Sequence, residues 1–333
     1  MADGPRVLFI TLSNVGDAIL TLPALDLVRQ VHPGARVTVL ASARSAPLFA
    51  GRAGVVEVIA HERHASWRSS LALWRRLRAL RCDGLIDMRR TLWPLVVGAR
   101  WRSPLLRQPP RRLIHMRDRH LWRAQQALGT TASAPPGTMA QPPDEGFAAQ
   151  WLRDERVPDE ALLVAISPSA RSHIKRWTAA GFAAVTDWLI AEERCHVLFT
   201  GEEDERDVIH GIIGRMRQPQ AAHVAVGQTT LGQLAALLRR CRLLISNDSA
   251  TMHLAAYLGV PVVAIFGPTD PRKYGPIGPT HRIIQRQLRC VPCEASLCRY
   301  HHECMEETTP EEVFNAARAI LTTTAGSSTV PAP

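Results

Sequence analysis

Residues 243–271 read LLISNDSATMHLAAYLGVPVVAIFGPTDP, and the order of residue types in this stretch decides the fold. Leu243 to Ser246 is an apolar run of strand length, and Asn247 to Ser249 supplies turn and helix N-cap chemistry. Met252 to Leu258 has helical spacing, which Gly259 and Pro261 stop, and Val262 to Phe266 is a second strand running into Gly267 and Pro268. In a parallel sheet such a unit turns the helix N-terminus, with its unpaired N–H groups and positive dipole end, toward the crevice at the carboxyl ends of the strands. Ser249 and Ala250 stand at that point, so the unit is built to hold a phosphate.

Working outward, the chain repeats the same alternation. Arg6 to Leu12 reads as a buried strand, Asp17 to Val31 as a helix and Arg36 to Ala41 as a strand, a β-α-β opening. Leu71 to Leu80 is helical in pattern, Gly84 to Met88 is a strand, and Leu92 to Ala99 is an apolar helical stretch in spite of Pro94. Residues 130–144 concentrate Pro, Ser, Thr and Gly without periodicity and read as a surface loop approaching a linker. A second series follows: strand 162–166, helix 179–192, strand 196–200, helix 207–217, strand 222–226 and helix 231–239. Thr309, Pro310 and Glu312 make a capping box for a last helix ending near Leu321. The pattern predicts an α/β protein of two doubly wound halves, residues 1–150 and 151–308, then a helix over 309–321 and a disordered tail over 322–333.

Four stretches together resemble glycosyltransferase family 9, whose members include the heptosyltransferases of the lipopolysaccharide inner core. These are VLFITLSNVGDAILTLPAL near the N-terminus, ISPSARSHIKRW in mid-chain, DSATMHLAAYLGVPVVAIFGPTDP, and the cysteine-rich CVPCEASLCRYHHEC. The resemblance spans roughly residues 6–320. It implies the GT-B architecture, two Rossmann-like domains facing a cleft, with the acceptor bound by the first and the nucleotide sugar by the second. It further implies an inverting transfer of heptose from ADP-heptose to a phosphorylated glycolipid acceptor.

Composition agrees with an enzyme of this size. The 333 residues suffice for two domains, and 46% hydrophobic with 21% charged residues describes a soluble globular chain. No apolar run has the length of a membrane span and MADGPRVLFI has no signal-peptide pattern, so a cytoplasmic location is expected, peripheral on the inner face of the inner membrane. The net charge of +10 is uneven: residues 52–123 hold 17 arginines against 5 acids, a local +12, and five of the eight tryptophans. Arginine interleaved with tryptophan suits an anionic membrane surface or phosphorylated sugars; a plain solvated basic face is the competing reading. Nucleic acid is not an expected partner, since none of its recognition motifs occurs.

Asp17 follows Gly16 in the first strand-to-helix turn. A carboxylate there either takes the proton from an attacking acceptor hydroxyl or merely stabilises the helix through its dipole; the resemblance favours the catalytic base. Lys175, one of only two lysines, is either a solvated loop residue or, as the resemblance implies, the cation that meets the departing diphosphate. By the same resemblance Ser167 and Ser169 add hydroxyl donors where the family more often has threonine or glycine. The backbone amides of Ser249 and Ala250 grip the diphosphate while Asp248 engages the sugar or orders the turn, and Ala250 replaces a usual glycine and so crowds the closest backbone approach. His253 is a ligand or a core histidine, and Glu203 stands where the family has its ribose-binding glutamate. Gly16, Arg89 and Arg90 are expected on the acceptor side.

No cofactor is expected for catalysis, because cationic and backbone donors cover the diphosphate. Cys290, Cys293, Cys298 and Cys304, spaced C-x2-C-x4-C-x5-C, are either reduced thiols or a structural zinc or iron site. Two other functions compete: the same mechanism with a donor such as a UDP-sugar, and a non-catalytic anion-binding protein. A dinucleotide-dependent oxidoreductase is disfavoured, since Ser13-Asn14-Val15-Gly16 stands where G-x-G-x-x-G would follow the first strand.

Overall fold

Runs such as RVLFI, LVAIS and VVAIF are apolar at successive positions, as strands covered on both faces require. A computed structural model describes residues 4–62, 66–139 and 141–325, and in it every such run is a buried strand of a parallel sheet. The chain divides into two compact units at Gln141/Pro142.

The first unit holds β1 (Arg6–Ile10), β2 (Arg36–Ala41), β3 (Val55–Ala60), β4 (Gly84–Asp87) and β5 (Trp101–Arg102), in the order β3-β2-β1-β4-β5. The second holds β6 (Leu163–Ser167), β7 (His196–Phe199), β8 (Ala222–Val224), β9 (Leu243–Asn247), β10 (Val262–Phe266) and β11 (Arg282–Gln285), in the order β11-β10-β9-β6-β7-β8. Each sheet grows outward in one direction for three strands and then resumes on the other side of its first strand. The reversals fall between β1 and β4 and between β6 and β9, and the carboxyl ends of such a pair are where doubly wound sheets bind ligands. Each unit packs its own core: Leu8, Ile10, Leu40 and Leu85 among others in the first, Ile166, Phe182, Phe199 and Ile265 among others in the second.

Three differences from the sequence expectation have local causes. The helix expected over 17–31 is two, Val15–Ile19 and Leu22–Val31. Pro23 has no N–H to continue the first, and the Thr21 hydroxyl donates back to the Ala18 carbonyl at 2.7 Å. The stretch 130–144 ends in a helix, Pro142–Asp154, whose Trp151 donates to Gln228 at 2.9 Å and which packs on helix Leu231–Arg240. That helix therefore lies wholly in the second unit, and the division falls at its start, ahead of residue 150. The last helix runs past Leu321 to Ala325, opened by the Thr309–Glu312 box and tied to helix Ala179–Glu193 by Phe314 against Trp188. The tail expected from 322 lies, beyond Ala325, outside the described residues.

Candidate active site

Each unit gathers polar residues at the carboxyl edge of its sheet. In the first, β1 leads through a turn into the five-residue helix that carries Gly16 and Asp17. Asp17 is half-buried and accepts a hydrogen bond from the Asn14 amide at 3.0 Å.

Beside it, β4 ends in Asp87, which is fully buried. The Asp87 carboxylate accepts from the backbone N–H of Arg89 at 2.8 Å, of Arg90 at 3.1 Å and of Thr91 at 2.6 Å, and from the Thr91 hydroxyl at 2.7 Å. This folds the loop after β4 around one carboxylate and sets Arg90 at a left-handed φ of 60°. Arg89 then reaches across to donate to the Thr11 carbonyl at the end of β1, so Arg89 and the Asp17 turn share one edge. Arg123, buried on helix Met116–Leu128, donates to the Asp87 carbonyl at 3.2 and 3.0 Å and to the Pro104 carbonyl at 2.9 Å. Burial lowers the Arg123 pKa from its ordinary value, opposed by Asp87 and reinforced by Arg90. Neither Asp87 nor Arg123 is singled out by the sequence reading: a lone acid at a strand end carries no local signal, and an arginine on a polar helix looks solvated.

In the second unit, Lys175 and Asp248 meet at the β6/β9 reversal, with Nζ 2.6 Å from Oδ2; the lysine remains partly exposed and the aspartate is buried. Asn247, read in the sequence only as part of the turn, clamps the two loops. Its amide donates to the Pro168 carbonyl at 2.6 Å, and its carbonyl accepts from the Trp177 N–H at 3.0 Å. Ser249 caps helix Ala250–Tyr257, its hydroxyl accepting from the Met252 N–H at 3.3 Å and lying 3.0 Å from the Ser246 hydroxyl. Ala250 is the first helical residue and half-buried; His253, one turn on, is buried. Ser167 and Ser169 are both buried at the end of β6, and the Ser169 hydroxyl has no hydrogen-bond partner.

Glu203 follows β7 and is exposed. The Arg206 guanidinium holds it at 2.7 and 2.6 Å and lowers its carboxyl pKa from the ordinary value. Gly227 follows β8 at φ 67°, in the left-handed region that favours glycine, beside the Glu203 carboxylate. A cavity of about 530 Å³ lined by Arg6, Arg36, Thr38 and Glu57 opens at the amino ends of β1 and β2, the edge opposite Asp17, and takes no part in this geometry.

The four cysteines do come near one another. Burial pushes the Cys304 thiol up to about 11, with charge on Cys298, Cys290 and Cys293 adding to the shift, and all four are free thiols. Yet no three His, Cys, Asp or Glu side chains among the described residues converge to hold a metal ion. Cys304 is drawn into the core under Gly267, 3.2 Å from where a Cβ would stand, while Cys293 is exposed. As placed, these side chains do not fit a zinc or iron site, one of the two readings of their spacing.

Each unit is thus a doubly wound α/β domain with polar residues at the carboxyl edge of its parallel sheet, a carboxylate in the first and a lysine with a helix N-terminus in the second. The profile of glycosyltransferase family 9 (heptosyltransferase) matches residues 115–303, and the chain belongs to that family. The chain is 29% identical over 163 residues to lipooligosaccharide heptosyltransferase 2 of Campylobacter jejuni, covering 48% of this chain and 51% of that protein. It is 26% identical over 285 residues to lipopolysaccharide heptosyltransferase 3 of Escherichia coli, covering 77% of this chain and 81% of that one. The chain thus spans about half the length of some of these relatives and four-fifths of others. Among solved structures, E. coli ADP-heptose lipopolysaccharide heptosyltransferase II superposes with a TM-score of 0.78 at 22% identity, over 96% of this chain and 99% of that one.

Proposed function

We propose that this protein transfers a heptosyl group, with inversion, from ADP-heptose to an inner-core lipopolysaccharide acceptor at the cytoplasmic face of the inner membrane. The acceptor hydroxyl attacks the anomeric carbon and forms the new C–O bond. The bond from that carbon to the diphosphate breaks, Asp17 takes the hydroxyl proton, and ADP leaves with the negative charge. Lys175 and the N–H groups at Ser249 and Ala250 meet that charge as it develops. Asp248 holds the lysine in place, Ser167 and Ser169 add hydroxyls, His253 backs the helix, and Glu203 accepts the ribose hydroxyls. Gly16 leaves room for the acceptor, which Arg89 and Arg90 bind through its anionic groups.

The observation that carries the reading is the Lys175–Asp248 contact of 2.6 Å at the β6/β9 reversal beside a capped helix N-terminus. It is an anion cradle at the point where this fold binds ligands. Support for the donor comes from the relatives' names, which specify heptose, and from the ADP-heptose enzyme that shares the fold.

The test is Asp17→Asn assayed with ADP-heptose and a truncated core lipid, the product read by mass. Turnover is expected to fall by about three orders of magnitude or more, while ADP still raises the thermal midpoint as in the unmodified protein. Turnover that survives removes Asp17 as the base. Stabilisation by UDP with none by ADP removes ADP-heptose as the donor.

A further inference from the structure

Of the twelve large hydrophobic side chains exposed among the described residues, five lie between positions 67 and 96: Trp67 at 71%, Leu71 at 38%, Leu92 at 67%, Leu95 at 56% and Val96 at 45%. They form one surface. Trp67, Leu71 and Trp74 recur at helical spacing on helix Trp67–Ala79, on a stripe beside the one that buries Leu73 and Leu77. The Trp74 indole donates to the Val96 carbonyl at 3.3 Å, which joins this stripe to the turn Trp93–Val96 and its exposed Leu92, Leu95 and Val96.

The surface is framed by cations. Helix Trp67–Ala79 carries Arg68, Arg75, Arg76 and Arg78, all exposed, and no acid. Arg68 and Arg78 lie over the faces of Trp67 and Trp74, 5.4 and 5.2 Å from the ring centroids, so charge and indole are presented together. Arg76 turns aside to Glu57. An apolar stripe with tryptophan, flanked by arginines, matches the boundary between anionic headgroups and acyl chains. A second copy of this chain would bring arginines against arginines with no acid on the helix to pair them.

The position also fits. In a parallel sheet the segment after each strand leaves from the carboxyl edge, so Trp67, after β3, and Leu92, after β4, start from the edge that carries Asp17. Leu92 is two residues beyond Arg90.

We infer that the surface formed by helix Trp67–Ala79 and the turn at 92–96 docks this protein on a bilayer containing anionic lipid, holding the Asp17 edge of the first unit at the headgroup level. The role assigned to the docking, access to a lipid-borne acceptor, rests on the proposed function; the docking itself does not.

The experiment is co-sedimentation of the full chain with vesicles of phosphatidylcholine alone and with roughly a quarter phosphatidylglycerol. The unmodified protein is expected to bind the anionic vesicles, to leave the neutral ones in solution, and to be released by salt. Trp67→Ser with Leu95→Ser is expected to weaken binding about tenfold or more, and Arg68→Gln with Arg75→Gln about fivefold for each arginine lost. All four positions are exposed, so the thermal midpoint, the ADP-induced shift and turnover of a detergent-dispersed acceptor should stay as in the unmodified protein. Asp17→Asn should sediment normally, which separates failure of the docking from failure of the catalytic reading. The inference is overturned if the unmodified protein ignores anionic vesicles or binds both kinds equally. It is equally overturned if the serine pair binds undiminished, or if it dissolves a dimer formed without lipid.

Discussion

A carboxylate taken out of water must be met by hydrogen-bond donors, and at Asp87 the loop after β4 supplies four of them. The residue touches no proposed reacting group, yet it positions Arg89 and Arg90. Asp87→Ala would strand three backbone N–H groups, and a loss of about 3 kcal/mol is expected. Urea unfolding followed by fluorescence of the first unit's tryptophans measures it, and a change under about 1 kcal/mol would mean that water replaces the carboxylate. Asp17 and Asp248 stand out in the sequence because they sit in strand-to-helix turns, and Lys175 because its loop resembles that of the family. Asp87 and the clamp made by Asn247 do not, because that work is done on partners that only folding brings close. The Lys175–Asp248 pair shows the same limit: both residues are legible, and their contact is not.

At the scale of elements, helix Met116–Leu128 was invisible to hydrophobic periodicity because the face it buries is made of His120, Arg123 and Ala124. His115 caps it and Gly129 closes it in the left-handed region, signals that stand without an apolar stripe to connect them. This burial has a pH consequence. His120 is 5% exposed and neither ring nitrogen has a hydrogen-bond partner. Burial first, then the charges of Arg123, Arg119 and His115, lower its pKa from 6.5 to about 4. The folded form therefore resists a proton that the unfolded chain accepts. Its contribution is present above pH 6.5 and is lost as pH falls toward 4, amounting to about 3 kcal/mol. His120→Leu should flatten the acid limb of the first unit's stability between those values, as measured by urea titration at a series of pH values. An unchanged limb would assign acid sensitivity to other groups. The edge strands β3 and β11, with polar or half-exposed residues in VVEVIA and RIIQ, escaped notice for a related reason: an edge strand is covered on fewer sides and needs fewer apolar positions.

For the whole molecule, each unit completes its own parallel sheet and its own core, and the division falls in the segment ahead of helix Pro142–Asp154. Residues 142–333 alone are therefore expected to unfold cooperatively, and ADP at a hundred times its dissociation constant to add about 2.7 kcal/mol to their stability. Residues 1–141 should be indifferent to ADP. Calorimetry of the two fragments checks this, and an ADP response confined to the intact chain would mean that the nucleotide needs both units. No helix among the described residues is long and apolar enough to cross a membrane.

Order along the chain was enough to determine the alternation of strands and helices, the helix-capping turn at 247–250 and the place of the carboxylate after the first strand, because propensity, capping and hydrophobic period depend on neighbours a few residues apart. Only the tertiary structure decided which strands lie side by side. That choice brings Asp248 to Lys175 across 73 positions and Arg123 to Asp87 across 36, and it closes the Cys304 thiol into the core beneath Gly267. Strand order and burial are set by the packing of all elements at once, and no local window of sequence contains them.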